Sequence, residues 1–171
     1  MTFLYSQIIG LPVGSIEDRA KVGSVRDIVI NPDDGKVLGL TVRAHFFGSQ
    51  PQIISWQDVR DIDKNGAVVT SKEVIVSIDE IVRAADLLND NFNLIDLPVE
   101  TTSGQAIGAV SDYEIDGTVG ALTKIHTRQL LGKNRIINHS KILRIQRDKI
   151  IIRADGERSR AAIAKTIPET A

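Results

Sequence analysis

The chain has 171 residues, 42% hydrophobic and 25% charged, with a formal net charge of −1. That composition belongs to a folded globular protein and excludes a disordered, collagen-like or polyelectrolyte chain. It contains no cysteine, so a disulfide scaffold, thiol catalysis and thiolate metal sites are excluded as well.

From the first residue, Met1 to Val13 offers neither a basic n-region nor a small-residue cleavage site, and reads as no signal peptide. No apolar run reaches the ~18 residues of a membrane-spanning helix. A cytoplasmic protein without membrane insertion is expected. Val25, Ile28 and Ile30 lie in a β-branched run that stops at Asn31-Pro32-Asp33-Asp34-Gly35, a strong turn signal. Leu38, Leu40, Val42 and Ala44 then alternate with Gly39, Thr41 and Arg43, the period of a half-buried strand. The pair predicts a hairpin. Ser55 to Ile62 reads as a short helical turn capped by Ser55, and Asn65-Gly66 as the turn into a strand over Ala67 to Thr70. From Ser77 as N-cap, Ile78, Ile81, Val82, Ala85 and Leu88 recur at helical spacing and predict one helix, ending near Asn89-Asp90-Asn91. The tail from Glu157 onward is small and polar, and predicts fraying or a weak helix.

Beyond that helix the chain repeats itself. Ile9-Gly10-Leu11-Pro12-Val13 is matched by Ile95-Asp96-Leu97-Pro98-Val99. Val22-Gly23-Ser24-Val25-Arg26-Asp27-Ile28 is matched by Ile107-Gly108-Ala109-Val110-Ser111-Asp112-Tyr113. Gly39-Leu40 is set against Gly120-Ala121, which places His45 and His126 at the same position. It also makes Asp116-Gly117 a shorter hairpin turn, with Val119, Ala121, Thr123 and Ile125 facing inward. Ile53-Ile54-Ser55-Trp56 is matched by Ile136-Ile137-Asn138-His139, and Ala67-Val68-Val69 by Ile150-Ile151-Ile152. So many matches in one order indicate a duplication, each copy folding as a unit.

These motifs resemble the PRC-barrel family. The resemblance rests on Leu11-Pro12-Val13, the apolar-Gly-x-Val-x-Asp strands beginning at Val22 and Ile107, and the apolar-Gly-apolar steps Leu38-Gly39-Leu40 and Val119-Gly120-Ala121. It implies a mainly all-β protein: two small PRC-type β-barrels of about six strands each, joined by a linker helix. The expected division is a first domain over 1–76, a linker helix over 77–91, a second domain over 92–156 and a tail over 157–171. The family's roles are assembly and docking, sometimes near RNA, in bacterial and archaeal proteins.

No constellation predicts catalysis, a metal site or a cofactor. The histidines lack partners at ligand spacing, and Asp27 and Asp112 are each read as hydrogen-bonded to a turn amide. Phe46-Phe47 and Leu130-Leu131 hold corresponding places, and adjacent apolar residues in a strand face opposite ways, so each pair offers either an interface hydrophobe or a cover over the linker helix. Trp56 is a candidate anchor, since tryptophan is enriched at binding hot spots. Charge is uneven. Residues 1–92 hold 9 basic and 13 acidic side chains, whereas residues 93–171 hold 12 and 9. Arg128, Lys133, Arg135, Lys141 and Arg144 are therefore candidates for steering an acidic partner. The expected function is a non-enzymatic adaptor that binds a protein through both barrels. The alternative is an RNA-associated module using the basic residues of the second barrel.

Overall fold

The structure, a computed structural model, describes residues 1–44, 51–129 and 133–154. Their strands are β1 (Thr2–Leu4), β2 (Pro12–Ser15), β3 (Ala20–Ile30), β4 (Val37–Ala44), β5 (Gln52–Ser55), β6 (Val59–Asp63), β7 (Gly66–Val69) and β8 (Ile75–Ser77) in the first part of the chain. The second part supplies β9 (Pro98–Thr101), β10 (Ala106–Asp116), β11 (Ala121–Arg128), β12 (Arg135–Asn138), β13 (Ile142–Ile145) and β14 (Ile150–Ile152). Two α-helices, α1 (Tyr5–Ile8) and α2 (Val82–Asn89), lie at the entrances to the two parts. The protein is mainly β, as the sequence predicts.

The strands form two seven-stranded sheets. The first runs β6-β7-β2-β3-β4-β5-β8, and the second β13-β14-β9-β10-β11-β12 with β1 added to β10. Six strands thus recur in the same order. The one parallel step recurs as well, β7 on β2 with Val13 opposite Ala67, and β14 on β9 with Val99 opposite Ile150. The register agrees in detail: Val13 pairs with Gly23 as Val99 pairs with Gly108. β3 and β10 each carry a bulge just before the recurring aspartate, between Val25 and Asp27 and between Val110 and Asp112.

Local chemistry accounts for the hairpins. In the β3–β4 turn the Asn31 side chain accepts the Asp33 N–H and the Asp34 carboxylate accepts the Lys36 N–H. In the β10–β11 turn Asp116 accepts from both Thr118 and Val119, which holds its carboxyl below the usual range. Short polar side chains closing their own turns are what Asn and Asp supply there. Gly35 N–H donates to Asn31 and Gly120 N–H to Asp116, each at 2.8 Å, and both glycines have positive φ, 71° and 63°. The two turns therefore have equal length.

That equality corrects the sequence alignment. Across β3 and β4, Val29 faces Gly39; across β10 and β11, the counterpart Glu114 faces Lys124. Gly39 thus corresponds to Lys124 and not to Gly120. His126 takes the place of Thr41, so the pairing of His45 with His126 is lost; His45 itself lies outside the described residues. The inward residues of β11 are Leu122, Ile125 and Thr127, while Val119 is exposed at the turn. Sequence likeness of one Gly dipeptide had been set above the register that the turn geometry imposes.

Two further differences concern helices. Ser55 to Ile62 contains only one 3-10 turn, Trp56–Asp58; Val59–Asp63 is strand β6, paired with β7. The predicted helix from Ser77 is divided. Ile75–Ser77 is taken as β8 on the edge of β5, Ile78–Glu80 is a 3-10 turn, and α2 starts at Val82. The buried residues are accordingly Ile78, Ala84 and Leu87, packed with Val29 and Ile53, and Val82 and Leu88 face solvent. Strand pairing of Ile75 and Val76 overrode the helical spacing.

The halves are interleaved. Strand β1, at the start of the chain, pairs with β10 of the second sheet, Phe3 opposite Ile115. The turns meet in an antiparallel bridge between Lys36 and its counterpart Ala121. Val37 N–H donates to Gly120 and Leu122 N–H to Gly35, both at 2.8 Å. Such reciprocal bonds relate the halves by an approximate two-fold axis. One hydrophobic cluster runs through both, from Val13, Leu40 and Ile54 to Val99, Tyr113 and Ile150. No helix among the described residues is long and apolar enough to cross a membrane.

Candidate functional site

The junction of the halves carries a polar seam. Asp27 accepts the Ile28 N–H and Asp112 the Tyr113 N–H, both at 2.8 Å, so each aspartate closes the bulge that precedes it. The second carboxylate oxygen is met from the lead-in segment of the opposite half. Ser6 donates its hydroxyl to Asp112 at 2.6 Å, and Asn93 its amide to Asp27 at 3.4 Å. Tyr5 stacks at 4.9 Å on the fully buried Tyr113. Burial pushes the Tyr5 phenol up to about 12, with the nearby Asp27 carboxylate adding to the effect. Tyr113 is raised too, chiefly by burial, and burial also raises Asp27 against the pull of the Ile28 amide. These groups hold the joint together. Their carboxylates are committed to amides, a hydroxyl and a carboxamide, which suits structure better than proton transfer.

Beside the seam lie two grooves at equivalent places, each between a hairpin turn of one half and the 3-10 turn and following strand of the other. The first, about 560 Å³, is lined by Phe3, Trp56, Arg60, Asp61, Asp63 and Thr118. The second, about 370 Å³, is lined by Asp33, Asp34, His139, Leu143, Arg144 and Gln146. Trp56 lies against Gly120 and its counterpart His139 against Gly35, where an added methyl would come 2.7 Å from the imidazole Nε2. A third groove, about 600 Å³, opens in the second sheet among Ile107, Ile136, Ile137 and Ile152, with Arg135, Lys141 and Arg153 around it.

The candidates named from sequence are therefore dispersed. Trp56 belongs to the first groove, Arg144 to the second, and Arg135 and Lys141 to the third. Arg128 forms an ion pair with Asp96, and Lys133 is exposed. Phe46, Phe47, Leu130 and Leu131 lie outside the described residues, as does the tail beyond Ala154. Much of the positive charge of the second half is paired: Lys124 with Glu114, Arg147 with Asp90 and Lys149 with Glu100. His126 contacts the same Glu114 at 2.8 Å, and hydrogen bonding from Lys124 holds that carboxyl low. Sequence reading missed Ile136, which is 64% exposed, and Arg153. The adjacent isoleucines 136 and 137 were the available signal, since one of two neighbours in a strand faces away from the core.

Comparison with known proteins bears on the first part of the chain. Residues 1–82 match the family model described as PRC-barrel domain. No curated protein matches the chain. The match takes in β2 to β8, the strands of the first sheet, together with the lead-in that crosses to the second. Residues 1–82 therefore carry a PRC-barrel domain.

Proposed function

We propose that the protein is a non-enzymatic docking module of the cytoplasm, in which residues 92–156 form a second copy of the same domain and protein partners are held on the joined pair. The repeated strand order and matching registers support the second copy. The observation that carries the docking reading is the pair of equivalent grooves, each lined by one arginine and two aspartates, with Trp56 in one where the other has His139. A single interleaved body holds them at a fixed separation, so two contacts on one partner are pre-organised. Among the described residues Lys124, Arg128, Arg147 and Lys149 are engaged with carboxylates, which leaves less of the basic charge for a phosphate backbone.

The test is capture by the tagged full chain from its own cell lysate, beside a titration with total cellular RNA at low and physiological salt. A protein partner lost on Trp56→Ala, with RNA affinity that vanishes at physiological salt, is the expected result. Tight RNA binding at physiological salt with no protein recovered would replace this reading by the RNA-associated one.

A further inference from the structure

The two halves differ at one edge. In the first sheet, β8 lies antiparallel on β5, with Ile75 opposite Ile54 and Val76 opposite Ile53. Ile75 is buried in the same cluster as Val22, Ile54 and Val69, and Val76 packs in the cluster that holds Ile53 and Leu87. The counterpart of β5 is β12. Among the described residues β12 pairs only with β11. The counterparts of Val22, Ile54 and Val69 are Ile107, Ile137 and Ile152, and these line the open groove of about 600 Å³. Ile136, counterpart of the fully buried Ile53, is 64% exposed. The first half thus shows what the edge and groove accept: an antiparallel strand with two adjacent apolar residues, one entering the groove and one covering the outer face.

The sequence equivalent of β8 in the second half lacks its apolar pair. At the corresponding distance along the sequence stands Arg158-Ser159-Arg160, with no apolar pair. A second copy of the protein is also ill-suited, because pairing β12 with itself would bring two sets of Arg135 and Arg153 together. Among the described residues that line the groove there is no carboxylate. We infer that β12 is a strand-addition site for an extended segment of another protein, two apolar residues flanked by acidic ones. This deepens the docking reading and rests on it. Backbone hydrogen bonds to an exposed edge supply affinity in such recognition, and side-chain pockets supply selectivity.

The probe is a short synthetic peptide with Val-Ile-Val at its centre, flanked by Asp and Glu, compared with the same core flanked by Lys. Titrated by fluorescence polarisation into the full chain, the acidic peptide is expected to bind saturably, about tenfold more tightly than the basic one, with affinity falling as salt rises. N-methylation of its alternate amides abolishes binding if a strand is added. Amide exchange at Arg135 to Ile137 slows in the complex. Arg135→Glu with Arg153→Glu, both remote from the core, reverses the preference toward the basic peptide, and Ile136→Ser weakens both. Thermal melts of each variant check the fold. Three results overturn the inference: equal binding of the two peptides, indifference to N-methylation, or concentration-dependent self-association abolished by Ile136→Ser. If a natural partner is captured and survives the charge reversal, docking stands but this edge is not its site; if no protein is captured while the peptide binds as described, the edge stands and the wider reading falls.

Discussion

Gly120 has φ of 63° and lies against the Trp56 indole, so an alanine there meets both backbone strain and a side chain that must give way. Gly120→Ala is expected to cost about 1–3 kcal/mol in urea unfolding, the usual scale for a non-glycine residue forced into that region. Trp56→Ala should relieve part of the penalty, and a double-mutant cycle measures the coupling. The Tyr5 phenol makes a second residue-scale prediction. Its folded value, about 12, lies above the unfolded value of 10, so its contribution is complete below pH 10 and disappears as pH rises toward 12. Tyr113 shifts in the same direction. Unfolding in alkali is therefore expected to begin above pH 10 and to follow phenolate absorbance; Tyr5→Phe should move its onset upward. The recurrence of Asp27 and Asp112, and their role as amide acceptors, was legible in the sequence. Their second partners, Asn93 and Ser6, were not, because those contacts depend on which half each lead-in segment reaches.

At the scale of elements, α2 shows how a buried stripe is decided. Leu87→Ala removes a side chain packed with Val29 and Ile53 and should cost about 2–5 kcal/mol. Val82→Ala, on a side chain 71% exposed, should stay within about 0.5 kcal/mol. A helix running unbroken from Ser77 would give a different ranking, and thermal melts of the pair separate the two arrangements. Strand β1 is the other element with consequences. Phe3 is buried although its strand has only three residues, so Phe3→Ala is expected to cost about 3–5 kcal/mol and to expose the far half of β10. The hairpins were readable from Asn31-Pro32-Asp33-Asp34-Gly35 and from the period-two alternation after it. The destination of Thr2–Leu4 was not, since three strand-forming residues carry no information about which sheet they join. The turn at Asp116 was misjudged because Asp-Gly is a good two-residue turn; the bond from Gly120 to Asp116 selects a longer one.

For the whole molecule, the recurring order of six strands follows the ordered matches of the sequence, and one core runs across both halves. Val13, Leu40, Val99 and Tyr113 share one cluster, and β1 and the Lys36–Ala121 bridge tie the sheets. Calorimetry of the full chain should therefore show one transition with equal calorimetric and van't Hoff enthalpies. Two resolved transitions would mean that the halves are energetically separate. The candidate site was legible only in part. Trp56, Arg135, Lys141 and Arg144 do border grooves, yet not a common one, because charge counted along the chain says nothing about which carboxylate lies across from each cation.

The reciprocal bonds between the turns have one more consequence. Contacts in which Val37 meets Gly120 while Leu122 meets Gly35 are those of an isologous interface, the kind a homodimer of single copies would make. Such a dimer dissociates on dilution and must keep its two faces identical. Held in one polypeptide, the same interface is independent of protein concentration, and mutation is free to act on one face at a time. Trp56 in the place of His139, and an edge paired with β8 in one half where β12 has no such partner among the described residues, are differences that a symmetric dimer has no means of acquiring.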